Sequence, residues 1–189
     1  MYYFVYCSGS IKKGNSDNNK LCWTDDERNA IQSTASPYNI EFLNPDNKVP
    51  LLDDVQVQYG RDMFQIYTSN FVVVDARQRR GIGIGTEMVT AKIANKPLIA
   101  IACPGSYYRL GKVEYRGSVV ENYVHPHLAT LCDVIVDDFY EAGKWIKSYI
   151  NNPTSIKGID IIQTAMEKYT VNLLPLDKDM QNSLSRRED

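Results

Sequence analysis

The sequence predicts an α/β protein: a doubly wound, flavodoxin- or Rossmann-like sheet of five parallel strands flanked by helices. Three observations lead there. Short β-branched apolar runs alternate with amphipathic segments of helical period, the pattern of strand–helix–strand units. The run over residues 71–74 is apolar at successive positions, as a strand buried on both faces requires. At 189 residues with 43% hydrophobic content, the chain can close one full core and carry a short appendage. The expected division is a main domain over residues 1–152, a helical extension over 153–175 and a disordered polar tail over 176–189.

Each element has its own signal. Strand one covers residues 2–6 and runs into the polar loop CSGSIKKGNSDNNKLCW. Thr24 with Glu27 three residues on has capping-box spacing and starts a helix that Pro37 ends. Strand two covers 40–43, and after the turn-rich NPDNKVP a helix runs from about residue 54 to 69, with Val55, Tyr59, Met63 and Ile66 on one face. Strand three covers 71–74, and a helix is expected over 86–95. Strand four covers 98–102, strand five 134–136, and the next helix carries Phe139, Ala142, Trp145, Ile146 and Tyr149. Asn151-Asn152-Pro153 breaks the chain before one more helix over about 155–169.

Composition removes several classes of function. No apolar run reaches membrane-span length, and MYYFVYC begins as a strand without a basic leader, so a soluble cytoplasmic protein is expected. Cys7, Cys22, Cys103 and Cys132 lack metal-ligand spacing and read as reduced thiols; no metal and no cofactor is expected. A net charge of −2 without a basic stripe argues against a nucleic-acid polymer as partner. His125 and His127 flank a proline with no carboxylates nearby in sequence, which does not make a metal pair.

In doubly wound sheets, ligands bind beyond the carboxyl ends of the strands where the winding reverses, commonly between strands one and three. Two unusual loops follow those strands. Ser8-Gly9-Ser10-Ile11-Lys12-Lys13-Gly14 offers small residues, hydroxyls and two lysines; Asp75, Arg77, Arg79, Arg80 and the series Gly81, Gly83, Gly85 follow strand three. Converging, they would surround a phosphate with backbone N–H groups and cations. Glu87 closes the second loop, expected on the first turn of its helix, where the dipole would keep it ionised and nucleophilic, or would simply be complemented by it. The loops match neither the dinucleotide fingerprint, which needs glycine at Thr86, nor a P-loop.

Tyr6 to Gly14 (YCSGSIKKG), Arg61-Asp62 and Gly83-Ile84-Gly85-Thr86-Glu87 together resemble the nucleoside 2-deoxyribosyltransferase-like superfamily, and within it the 2'-deoxynucleoside 5'-phosphate N-hydrolases and related nucleoside monophosphate N-glycosidases. The match covers about residues 2–102. The resemblance implies a nucleophilic glutamate at Glu87, a second catalytic acid at Asp62 and a tyrosine at the reaction centre at Tyr6. It implies a 5'-phosphate loop at Gly9, Ser10 and Ile11, with Lys12 and Lys13 adding charge, Gly83 and Gly85 closing the other side, and a substrate-binding Asp75. It also implies a small nucleotide or nucleoside as partner and a homodimer or higher homo-oligomer. Departures are Asp75-Ala76 where the transferase branch reads Asp-Gly, an immediate Thr86-Glu87, and Gly81 where the hydrolase branch has a serine on the phosphate. The hydroxyl of that serine is either missing here without replacement or replaced by the guanidinium of Arg79 or Arg80.

The residue types suit the chemistry. Cleavage of an N-glycosidic bond develops oxocarbenium character at C1', which an ionised carboxylate stabilises or attacks while a second acid assists the departing base. Hydrolysis of a (deoxy)nucleoside 5'-monophosphate is the leading expectation. Base exchange by a deoxyribosyltransferase and a non-catalytic nucleotide sensor are the alternatives.

Overall fold

The computed structural model describes residues 1–11, 20–46, 54–79 and 81–187. In chain order its elements are β1 (Tyr2–Ser8), α1 (Asp25–Ala35), β2 (Asn39–Leu43), α2 (Val55–Thr68), β3 (Phe71–Asp75), α3 (Ile82–Ile93), β4 (Leu98–Ile101), β5 (Arg109–Tyr115), β6 (Ser118–Val124), α4 (Pro126–Leu131), β7 (Val134–Val136), α5 (Phe139–Asn151), α6 (Ile161–Asn172) and α7 (Lys178–Ser185). The main sheet has the order β2-β1-β3-β4-β7, all pairs parallel, so the winding reverses between β1 and β3 as expected.

Alternation along the strands divides the core into two layers. Val5, Cys7, Phe71, Val73, Ile99 and Ile101 face α1 and α5; Tyr6, Val72, Val74, Leu98 and Ala100 face α2, α3 and α4. The first layer is tight enough to demand a glycine. A Cβ on Gly143 would stand 2.4 Å from the backbone oxygen of Ile31, so α5 lies directly on α1.

In the second layer a buried ion pair sits behind α3. Lys92 donates to the Asp133 carboxylate at 2.7 Å, with both side chains almost fully buried. The same carboxylate accepts from the backbone N–H groups of Leu98 and Lys157, each at 2.7 Å.

Five features depart from the sequence reading. β5 and β6 form an antiparallel hairpin turning at Arg116-Gly117, both at positive φ, where no strands were expected. The short helix α4 was likewise unassigned, and α6 begins later than the expected residue 155. The polar tail contains α7: Asp177 caps it by accepting from the Met180 N–H and also receives the Tyr169 hydroxyl at 2.8 Å. Local capping there supplies order that composition does not announce. Finally, α3 begins at Ile82, four residues ahead of the expected start. Ile84, Met88 and Ala91 at helical spacing pack on the sheet, and this burial overrides the poor helix propensity of Gly83 and Gly85.

Candidate active site

The early start of α3 changes the electrostatics of Glu87. The residue lies in the second turn, not the first, and its side chain turns inward to 8% exposure. Dipole support therefore does not dominate. Burial raises its proton affinity above the ordinary carboxylate value; the neighbouring hydroxyls of Ser8 and Tyr6 oppose that shift, and Asp62 adds to it. The expectation of a carboxylate held ionised by the helix start is thus corrected.

β1 supplies the hydroxyls. Tyr6 and Ser8, two residues apart, point to the same face of the sheet, and Ser8 pairs in register with Val74 at the end of β3. The Ser8 hydroxyl donates to Glu87 Oε2 at 2.5 Å, in a fully buried setting. The Tyr6 hydroxyl is buried and meets no partner at hydrogen-bonding geometry among the described residues, yet it is close enough for electrostatic coupling. Burial first, then the Glu87 and Asp62 carboxylates, push its phenol far above the usual value, so it remains a proton donor at every working pH.

Asp62 comes from α2, which lies beside α3 and is linked to it by the Thr90 hydroxyl donating to the Met63 sulfur at 3.2 Å. Its side chain is 28% exposed and 3.9 Å from the Arg61 guanidinium, which is itself tied to the Pro45 carbonyl at 3.0 Å. Partial burial raises its proton affinity and Arg61 opposes the rise. An acid that keeps its proton above the usual carboxylate range can donate it to a leaving group.

Glu87 and Asp62 meet in one cleft of about 340 Å³, which the fully buried Tyr6 and Ser8 do not line. Gly9, Ser10, Ile11, Asp62, Gly83 and Glu87 line it, six of the residues singled out from the sequence. Gly9 is required by close approach: a Cβ there would stand 2.9 Å from the Trp23 indole, whose Nε1 donates to the Ser8 carbonyl at 3.1 Å. Gly83, one helical turn before Glu87, leaves the space in front of the carboxylate open; its Cβ would lie 3.7 Å from Glu87 Oε1.

Other expected members fall elsewhere. Asp75 is fully buried and does not line the cleft. Alternation along β3 turns it to the α1/α5 face with Phe71 and Val73, where Arg77 clasps both its oxygens at 2.9 Å. Arg77 in turn meets Glu27 at 2.5 Å and lies 4.7 Å over the Phe139 ring, so Asp75 belongs to a structural cluster. Gly85 and Arg79 line a neighbouring cavity together with His125 and His127. Lys12, Lys13, Gly14 and Arg80 lie outside the described residues.

Two lining or contacting residues escaped sequence reasoning. Ser8 was assigned only to the loop, although its period-two relation to Tyr6 marks it as a partner on the same face. Lys20, at the far end of the polar loop, brings a cation to the cleft that only distance along the chain concealed. Among the described residues no group of three or more His, Cys, Asp or Glu is placed to hold a metal, and no helix is long and apolar enough to cross a membrane.

The chain superposes on a 2-deoxyribosyltransferase from Bacillus psychrosaccharolyticus with a TM-score of 0.51 and 9% identity, covering 74% of this chain and 90% of that one. A 2-deoxyribosyltransferase from Leishmania mexicana gives 0.50 and 15%, over 80% of this chain and 99% of that one. The fold is that of the 2-deoxyribosyltransferases. No family model and no curated sequence matches the chain. At these identities the likeness establishes the deoxyribosyltransferase fold, and the chemistry of this chain is argued from its own cleft.

Proposed function

We propose that the cleft cleaves the N-glycosidic bond of a (deoxy)nucleoside 5'-monophosphate, releasing a free base and a (deoxy)ribose 5-phosphate. The observation that carries this is the buried Glu87 carboxylate, held by Ser8 at 2.5 Å in a cleft that also contains Asp62 and the Gly9–Ser10–Ile11 loop. An ionised Glu87 attacks C1'; as the C1'–O bond forms, the C1'–N bond breaks and its electron pair leaves with the base, which takes the Asp62 proton. Water, deprotonated by the same Asp62, then attacks C1' and frees Glu87. The Ser8 and Tyr6 hydroxyls steady the carboxylate between the two steps.

The loop of residues 9–11, with Lys20 nearby, receives the 5'-phosphate. Charge-assisted hydrogen bonds are worth about 1.5–3 kcal/mol each, so two of them make a monophosphate a better substrate than its nucleoside by on the order of a hundredfold or more. Residues 1–152 act as the catalytic unit and 153–175 as a helical extension, in a cytoplasmic assembly of two or more copies.

Base exchange between nucleosides is the second reading, and the transferases that share this fold favour it. One assay separates the two: a panel of nucleosides and monophosphates is incubated with and without a second free base, and products are resolved chromatographically. Free base with sugar phosphate from monophosphates supports hydrolysis. A base-exchanged nucleoside, with nucleosides used as well as monophosphates, replaces it with transfer. No released or exchanged base from any member of the panel removes both.

A further inference from the structure

On the other side of residues 81–84 lies a second cavity of about 420 Å³. Gly81, Ile82 and Ile84 line both spaces, so the start of α3 is a ridge between them. The second space has a chemistry of its own. Tyr107 meets Tyr108 edge to face at 5.0 Å, Tyr108 meets His125 at 5.2 Å, and His125 meets His127 at 5.1 Å, each pair within 10° of perpendicular. This unbroken run of four rings lines the cavity over an apolar floor that includes Val74, Met88 and Leu128.

We propose that this cavity binds a planar nitrogen heterocycle of the nucleobase class, stacked on the ring run and hydrogen-bonded by the imidazole edges. Tyrosine and histidine faces stack with any base, and an imidazole edge carries one donor and one acceptor to match ring nitrogens and exocyclic groups. His125 Nδ1 receives the His127 N–H at 3.4 Å, while the imidazole nitrogens of His127 have no hydrogen-bond partner among the described residues. Burial, with His127 beside it, lowers the proton affinity of His125, and because its Nδ1 accepts from the His127 N–H, its Nε2–H is the edge left to donate to a ligand.

Other ligand classes fit less well. Arg79, the one Lys or Arg among the described lining residues, lies 5.7 Å over the Tyr107 ring, which suits covering a stacked base. Among the described residues the two imidazoles have no third ligand beside them, and two alone do not make a metal site. The choice of nucleobase chemistry rests on the glycosidic reading of the cleft; the ring run itself does not. The heterocycle has two sources: the base of a substrate laid across the ridge, or a free base held apart from it.

The chain contains only two histidines, so their Cε1–H proton resonances form a two-line spectrum of this cavity. Adenine, cytosine, uracil and hypoxanthine are titrated separately into the wild-type protein and into Glu87→Gln. Saturable shifts of both lines with at least one base are expected in both proteins. Tyr107→Ala, at a half-exposed position, should weaken that binding by about five- to a hundredfold, the loss of one stacking ring. Titration of the matching monophosphate into Glu87→Gln separates the sources. If it moves the same two lines and competes with the base, the substrate's own base occupies the cavity; if base and monophosphate shift the lines additively, the base binds apart. Wild-type protein that shows the shifts but releases no base keeps this pocket and loses the proposed reaction. Base release with neither line moving, or shifts that persist at full affinity in Tyr107→Ala, overturns the pocket.

Discussion

The glutamate cleft and the ring-lined cavity share the ridge of residues 81–84 but are made of opposite materials. Tyr6 and Ser8, the neighbours of Glu87, stand on a central strand and are fully buried, and Glu87 is nearly so. The cavity takes its rings from the segment between β4 and β7, where Tyr107 is 52% exposed and the adjoining hairpin shows most of its surface to solvent. Glu87 and its two hydroxyl neighbours therefore sit in the buried part of the molecule, while the ring groups sit on connections outside the sheet that can vary without rebuilding it. On that division, substitutions in the cleft change the rate and its pH dependence, and substitutions in those connections leave stability nearly untouched.

The largest expected effect is at Glu87. Glu87→Gln should lower base release by on the order of 10⁴-fold or more, as for loss of a nucleophile elsewhere. The same change should stabilise the fold at neutral pH. Because burial raises the native proton affinity of Glu87, its stabilising contribution is complete below the unfolded value of about 4.3 and is lost as pH rises through the raised native value. Glutamine avoids that loss. Thermal melts of the two proteins should coincide at low pH and separate above it, by about 2–4 °C for each kcal/mol. Retained turnover, or a variant that melts lower at pH 7, would break the assignment.

Next comes Asp62. Asp62→Asn should slow turnover by about 10²–10⁴-fold and remove the basic limb of the rate profile, leaving the acidic limb that reports Glu87. Substrates with poor leaving-group bases should suffer most; equal losses for good and poor leaving groups would make Asp62 a positioning residue.

Ser8→Ala removes the donor that opposes the burial of Glu87, so the acidic limb should move to higher pH and kcat fall by about ten- to a hundredfold, from the loss of a hydrogen bond worth about 1.5–3 kcal/mol to a charged group. An unmoved acidic limb would separate Ser8 from the ionisation of Glu87.

The smallest effect belongs to the hairpin. Lys112 meets Glu121 at 3.0 Å with both side chains about two-thirds exposed, and Lys112→Ala should change stability, measured by urea denaturation, by no more than about 0.5 kcal/mol. A larger loss would mean that the hairpin is bound into the core after all.

The same contrast explains what could be read in advance. The five strands of the main sheet were legible because each is short and largely apolar, and the sheet order places the loops after β1 and β3 at the winding reversal. Gly9, Ser10, Ile11, Gly83 and Glu87 line one cleft because those loops flank the reversal, whereas Asp62, on α2, was singled out only by the family resemblance. Asp75, expected at the substrate from the resemblance, ends β3 fully buried, and strand alternation decides its side only once β3 is known to include it. The start of α3 was hidden because Gly83 and Gly85 speak locally for a loop while Ile84, Met88 and Ala91 act through tertiary burial. The hairpin left a trace in Arg116-Gly117, a two-residue turn between short alternating runs, but both its faces are wet and its hydrophobic pattern is correspondingly weak.

Asp133 holds three donors from distant parts of the chain: the Lys92 ammonium at the end of the helix that carries Glu87, the N–H of Leu98 at the start of β4, and the N–H of Lys157 beyond α5. Peeling the C-terminal segment away would strip the carboxylate of one partner and let water reach the buried lysine. Detachment of that segment is therefore coupled to the opening of the second core layer, and the two should behave as one cooperative unit. The amide of Lys157, outside any helix or strand, should exchange its hydrogen with solvent at a rate set by that shared opening and not by the fraying of a loop.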